Sequence, residues 1–241
     1  MKLTKEELFI ESLYEEANKD LKEVYKQKKE SRDELLKEIA MVMLTYTIID
    51  GIMDIKKSDK DKAYEKLSKL IIIGYKTISK KEVNVLNNIL ESTVKKTFNF
   101  YSYNADLKDV RKIIENNFKG KHFSERVWSN EQEVAKHLHK QVDKFLDGKI
   151  NVNQIKKDIE KTFNASAYNA KRLVETEVNR CEDEAFRRFC KETGVTKVKR
   201  NEVLDSKTCE ECAKLNGVIF DLDDAPGVVH PCCRGFNEIY E

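Results

Sequence analysis

Apolar residues recur at helical spacing along most of the chain. Ile10, Tyr14, Ala17, Leu21 and Tyr25 stand three or four apart and form one stripe. Leu35, Leu36, Ile39, Val42, Met43, Tyr46, Ile49, Ile52 and Met53 form a broader one, which predicts a helix buried on most sides. Ser58 and Ser79 each read as an N-cap opening a further helix, and Ser79-Lys80-Lys81-Glu82 has capping-box spacing. Leu67, Leu70, Ile71 and Gly74 fit the first of these helices; Val83, Leu86, Ile89, Leu90 and Val94 fit the second. The pattern predicts an antiparallel helical bundle with short connections.

A link at Asn104, Ala105 and Asp106 leads to a helix bearing Val110, Ile113, Ile114 and Phe118, and Gly120 breaks it. The stretch Phe123-Ser124-Glu125-Arg126-Val127-Trp128-Ser129-Asn130 follows. Asn130 reads as the cap of a helix with Val134, Leu138, Val142, Phe145 and Leu146, ended by Gly148. Residues 151–163 form another helix in this reading, and a long one runs on to about Thr193, with Gly194 as its C-terminal cap. The character then changes. Residues 195–200 alternate as in a strand, and Val218-Ile219-Phe220 and Phe236-Asn237-Glu238-Ile239-Tyr240 read as two more. The expected fold is mainly α: an elongated helical body or bundle with a small C-terminal β-rich module. It divides as an N-terminal helical region 1–105, a helical stem 106–194 and the module 195–241.

Composition supports long helices. Only 8 Gly and 2 Pro occur in 241 residues, and both prolines, Pro226 and Pro231, lie in the last twenty. With 40% hydrophobic and 37% charged residues, the chain is too apolar for disorder and too polar for a membrane protein. The charged start gives no sign of a signal peptide, and the longest uncharged apolar run, 39–49, is far short of the ~20 residues that cross a bilayer. A net charge of +2 points to no bulk electrostatic partner. Lysine pairs such as Lys56-Lys57 and Lys80-Lys81 are interleaved with acids and read as solvated helix faces, which leaves a modest contact with DNA open.

Four of the six cysteines crowd into the last segment. Cys209-x-x-Cys212 is followed after seventeen residues by His230-x-x-Cys233. Each pair can present two donors on one side of a tight bend, and four N/S donors form a closed structural zinc site as a rule. So small a module has little core, and the metal would supply much of its folding free energy. A redox pair would lack its βαβ setting and leave the second pair unexplained, and disulfides belong outside a reducing cytosol. Cys232 competes with Cys233 as fourth ligand, although spacing favours Cys233. Cys181 and Cys190 read as ordinary semi-buried thiols.

A combination of motifs accompanies the cysteines. Arg172-Leu173-Val174-Glu175-Thr176-Glu177 lies on a helix and Asn179 follows. Asp205-Ser206-Lys207-Thr208-Cys209-Glu210-Glu211-Cys212, Leu215-Asn216-Gly217 and His230-Pro231-Cys232-Cys233-Arg234 come after it. In order and spacing these resemble the phage minor head proteins of the Mu F-like head-morphogenesis family, and the segment 123–130 is similar to an upstream motif of members from Gram-positive phages. The resemblance covers about 123–241. Many members read H-P-x-C-R-C, whereas Gly235 stands at the last of those positions here. The resemblance implies a minor capsid component of the virion, made in the bacterial cytoplasm from a phage or prophage. It implies binding to the portal protein or capsid interior, an influence on DNA packaging or ejection, and packaged DNA as a further contact. No membrane and no small-molecule substrate are expected. Some relatives carry a toxin domain beyond the zinc module, and the end at Glu241 gives the expectation that none follows here.

Other residues are weighed against that reading. Glu175 and Glu177 are two apart on a helix and cannot form a carboxylate dyad. Glu177, with Arg172 or Arg180, is expected to anchor the stem to the zinc module. Asp205 is expected to cap the knuckle turn. Trp128 is expected to pack into the core where the helices turn, or to serve as an interface anchor. His122, His137 and His139 are scattered. A metal nuclease or toxin-related domain would need an open metal position, which a site that consumes His230 lacks. The expectation is a non-enzyme, with a zinc-dependent DNA-binding protein of the head interior as the other alternative.

Overall fold

The computed structural model describes residues 3–204 and 208–240. In chain order the elements are α1 (Lys5–Asp20), α2 (Lys22–Thr45), β1 (Thr47–Ile49), β2 (Ile52–Asp54), α3 (Lys57–Phe100), α4 (Leu107–Glu115), α5 (Phe123–Leu146), α6 (Val152–Thr193), β3 (Lys197–Asn201), α7 (Glu210–Leu215), β4 (Ile219–Asp221) and β5 (Phe236–Ile239). The mainly helical class with a small C-terminal β-rich unit is what the chain adopts. The elements gather into two compact units, one of residues 1–21, 85–123 and 171–241, the other of residues 22–84 and 124–170. No helix among the described residues is long and apolar enough to cross a membrane.

Three expected breaks are absent, for one physical reason. Ser79 does not cap a helix; it lies fully buried inside α3, and its hydroxyl donates to the Tyr75 carbonyl one turn back at 2.8 Å. The buried row of α3 continues through Leu67, Ile71, Ile78, Glu82, Leu86 and Leu90, so the helical period never lapses. Asn130 likewise lies within α5, and residues 152–163 are the first turns of α6, which Asn151 caps by accepting from the Gln154 N–H at 2.9 Å. A local capping signal loses wherever the apolar face carries straight on. The caps at real ends hold. Thr4 and Glu7 form a reciprocal capping box, and Asp106 accepts from the Asp109 N–H at 2.8 Å. Gly194 ends α6 at φ +79°, with the Val195 N–H bonded back to the Cys190 carbonyl at 2.9 Å.

In the second unit, α2 stops at Thr45 rather than carrying the stripe on to Met53. Asp50 (φ 50°) and Gly51 (φ 77°) form a two-residue turn, and Ile48 pairs with Met53 across an antiparallel hairpin. Leu35, Ile39, Leu67, Ile71, Leu138, Val142, Phe145, Ile155 and Ile159 build this unit's core. A buried polar knot sits in the same unit. Lys28 on α2 places its ammonium 2.6 Å from Glu131 of α5, 2.9 Å from Glu82 of α3 and 2.8 Å from Ser166 of α6. Desolvation pushes the Glu82 carboxyl above its usual range.

In the first unit, β3 is the middle strand of a three-stranded antiparallel sheet in the order β4-β3-β5. Val198 on β3 packs with Phe186 and Cys190 of α6 and with Leu222 and Ala225 beyond β4. The sheet thereby rests on the last turns of α6, and the loops at its end carry the cysteine segment.

Candidate metal centre

Cys209 is the N-cap of α7, and its sulfur accepts from the Cys212 N–H at 3.4 Å. That turn brings the two sulfurs of Cys209-x-x-Cys212 to one side. The second pair is folded by a bend in which the Cys233 N–H bonds to the His230 carbonyl at 3.0 Å. Between them Cys232 takes φ 63°, a left-handed conformation uncommon outside glycine, and its N–H donates to Thr176 Oγ1 on α6 at 3.1 Å. The twist turns His230 and Cys233 toward α7. The Cys232 thiol is raised in pKa by burial and by Glu175 beside it.

His230 Nε2 lies 3.3 Å from Cys209 Sγ and 3.1 Å from Cys212 Sγ, and Cys212 Sγ lies 3.9 Å from Cys233 Sγ. A zinc tetrahedron with sulfur bonds near 2.3 Å and nitrogen bonds near 2.0 Å has edges of about 3.5–3.8 Å, so the donor spacing fits such an ion. The other ring nitrogen, Nδ1, is 3.0 Å from the Pro231 carbonyl, an acceptor only. Nδ1 therefore carries the proton and Nε2 offers its lone pair. The same carbonyl, ahead of the nearby Cys209 sulfur, raises the His230 pKa. Burial and then Cys233 raise the Cys212 thiol, whereas the Cys212 N–H lowers that of Cys209. Cys209, Cys212 and His230 have donor atoms mutually within 4.8 Å; Cys212 and Cys233 share a second such group with Glu202.

The module is held to α6 by several polar contacts. Asn179 Nδ2 donates to the Gly235 carbonyl at 2.8 Å. Arg187 donates to the Leu222 and Ala225 carbonyls, both at 2.7 Å. Asn237 Nδ2 donates to Asp183 at 2.8 Å. Tyr14 Oη lies 3.5 Å from the Cys233 carbonyl and accepts from Asn179 at 3.2 Å.

The other sequence-predicted residues lie as follows. Glu177 is buried and pairs with Arg180 at 2.7 Å, but Arg180 points to the Ile113 and Ile114 carbonyls at the end of α4 instead of to the cysteine module. Arg180 thus sets its guanidinium at a helix C-terminus, where a cation is favoured, and Glu177 balances its charge. Arg172 is exposed, one turn before Thr176 on α6. Asp205 lies outside the described residues. Trp128 is 38% exposed, contrary to the expected core packing. Because α5 does not turn at Asn130, its buried row runs through Val127, Glu131, Ala135 and Leu138, and Trp128 falls about 100° off it.

One residue of the site escaped sequence reading. Arg200 is fully buried on β3, donating to Glu202 Oε1 at 2.7 Å, to the Pro226 carbonyl at 3.2 Å and toward Cys233 Sγ at 3.4 Å. The available signal was the period of two: Val198, Arg200 and Glu202 share the inward face of one extended stretch.

No curated protein and no solved structure matches the chain. Residues 129–236 match the family described as Phage Mu protein F like protein, a span that runs from α5 to the start of β5 and includes all four candidate ligands. Residues 129–236 of this chain form a domain of the Phage Mu protein F-like family of phage head proteins.

Proposed function

We propose that this chain is a minor head protein of a tailed phage or prophage. It binds the portal protein or the capsid interior during head morphogenesis and influences DNA packaging or ejection. The observation that carries this reading is the coincidence of the family match with the cysteine module. The matched span holds the helix that bears Thr176, Asn179, Asp183 and Arg187, and the metal centre those residues brace. The metal is zinc, bound by Cys209, Cys212, His230 and Cys233. Its role is structural, because four protein donors leave no position for a reacting water. Catalysis has no part in this reading.

The test is assembly. Affinity-tagged chain, expressed with the portal and capsid proteins encoded beside it, is expected to co-purify with them and to be present in mature heads. Heads that form and fill normally without it, and never contain it, would contradict the proposal. Mobility shifts with double-stranded DNA across a salt series separate a DNA-binding role, for which the +2 net charge gives little support.

A further inference from the structure

Two side chains compete for the fourth position of the metal centre. Cys209, Cys212 and His230 form one tight group. Beyond Cys212 lie both the Cys233 sulfur and the Glu202 carboxylate, with donor atoms mutually within 4.8 Å. A carboxylate is an able zinc ligand, so proximity alone does not choose between them.

Arg200 stands between the two candidates. Its Nε donates to Glu202 Oε1 at 2.7 Å and its Nη2 reaches toward Cys233 Sγ at 3.4 Å. The guanidinium is fixed from a third side by the Pro226 carbonyl at 3.2 Å and from below by the strand that carries it. Glu202 is held at its backbone too, since its N–H donates to Asn216 Oδ1 at 2.9 Å. Gly235 leaves the space in which the pair lies: a Cβ there would come within 2.1 Å of Glu202 Oε1 and 2.3 Å of Arg200 Nη2. A buried cation that occupies a carboxylate and also donates to a sulfur stabilises the thiolate and ties up its rival.

We propose that Arg200 is the positioning residue of the metal centre, fixing Cys233 and excluding Glu202 as the fourth ligand. This inference rests on the zinc reading given above. Three thiolates and one imidazole around a divalent ion carry one net negative charge, and the guanidinium's donation to Cys233 falls on the most buried sulfur of the set.

The test uses the full chain with cobalt in place of zinc, because the sulfur-to-cobalt charge-transfer band reports the number of coordinated thiolates. The wild-type chain is expected to show a three-thiolate band. In Arg200→Met the freed Glu202 carboxylate displaces Cys233, so the band falls to the two-thiolate level. Release of metal to a chelator should quicken by roughly tenfold or more. Arg200→Met/Glu202→Gln removes both charges and keeps the module foldable, and its band returns to the three-thiolate level. A single variant with wild-type band and release rate overturns the proposal, as does a double variant that stays at the two-thiolate level. A wild-type chain that takes up neither zinc nor cobalt instead defeats the zinc reading itself.

Discussion

The side-chain amide of Asn179 donates to the carbonyl of Gly235 at 2.8 Å, joining the middle of α6 to the residue that precedes β5. Asn179 is buried, so water cannot replace the bond. In Asn179→Ala that carbonyl loses this donor, at an expected cost of about 1–3 kcal/mol. Hydrogen exchange should show faster exchange of β3 and β5 amides and unchanged protection in α2 and α5. Unchanged protection of β5 would mean that other contacts suffice.

Lys28 holds two carboxylates in a place none of them could occupy alone. Replacing it with Met leaves Glu82 and Glu131 buried without their cation. Chemical denaturation should then show a loss of about 3–5 kcal/mol. Changing all three groups together, as in Lys28→Met/Glu82→Gln/Glu131→Gln, should recover most of that loss. A neutral Lys28→Met would show that the knot contributes nothing.

Gly235 is required for space rather than for backbone freedom. Gly235→Ala drives a methyl group into Glu202 and Arg200. It is expected to weaken zinc retention under a competing chelator and to lower the melting temperature of the module. Gly120→Ala serves as the control, because a Cβ there meets nothing within 4 Å and costs only the strain of φ +76°. Equal zinc retention in the two variants would contradict the packing argument.

Burial, reinforced by Asp183, raises the Glu182 carboxyl from an ordinary 4.5 to about 8, although Arg200 and Arg187 partly offset the shift. Between those two values the folded chain keeps a proton that the unfolded chain has released. The stabilisation is therefore complete below pH 4.5 and is lost as pH rises through 8. Glu182→Gln removes this slope, so the variant should gain melting temperature over wild type at pH 8 and not at pH 4.5. Release of metal at low pH affects both chains alike and cancels in the difference. A constant offset between them across the range would contradict the assignment.

Much of this was legible in the linear pattern. The ligand pairs stood out because C-x-x-C and H-x-x-C impose their own bends, and the strands at β3, β4 and β5 because they follow the glycine that ends α6. Hidden features depend on partners distant in sequence. Glu82 looked like half of a capping box, whereas Lys28, fifty-four residues earlier, makes it a core residue. Asp50-Gly51 is a hairpin turn hidden inside an apolar stripe of helical spacing that runs from Leu35 to Met53. In sequence Arg200 is one alternating position of a short strand; Glu202, Pro226 and Cys233, which close around it, lie further along the chain.

Under the proposed function, zinc folds the segment after Gly194. Elemental analysis of purified full-length chain, before and after a strong chelator, together with hydrogen exchange, tests it most directly. One equivalent of zinc is expected. On its removal, protection should be lost in β3, α7, β4 and β5, while the helical circular dichroism persists. A chain free of zinc and other bound metal, with those amides as protected as before, would contradict it.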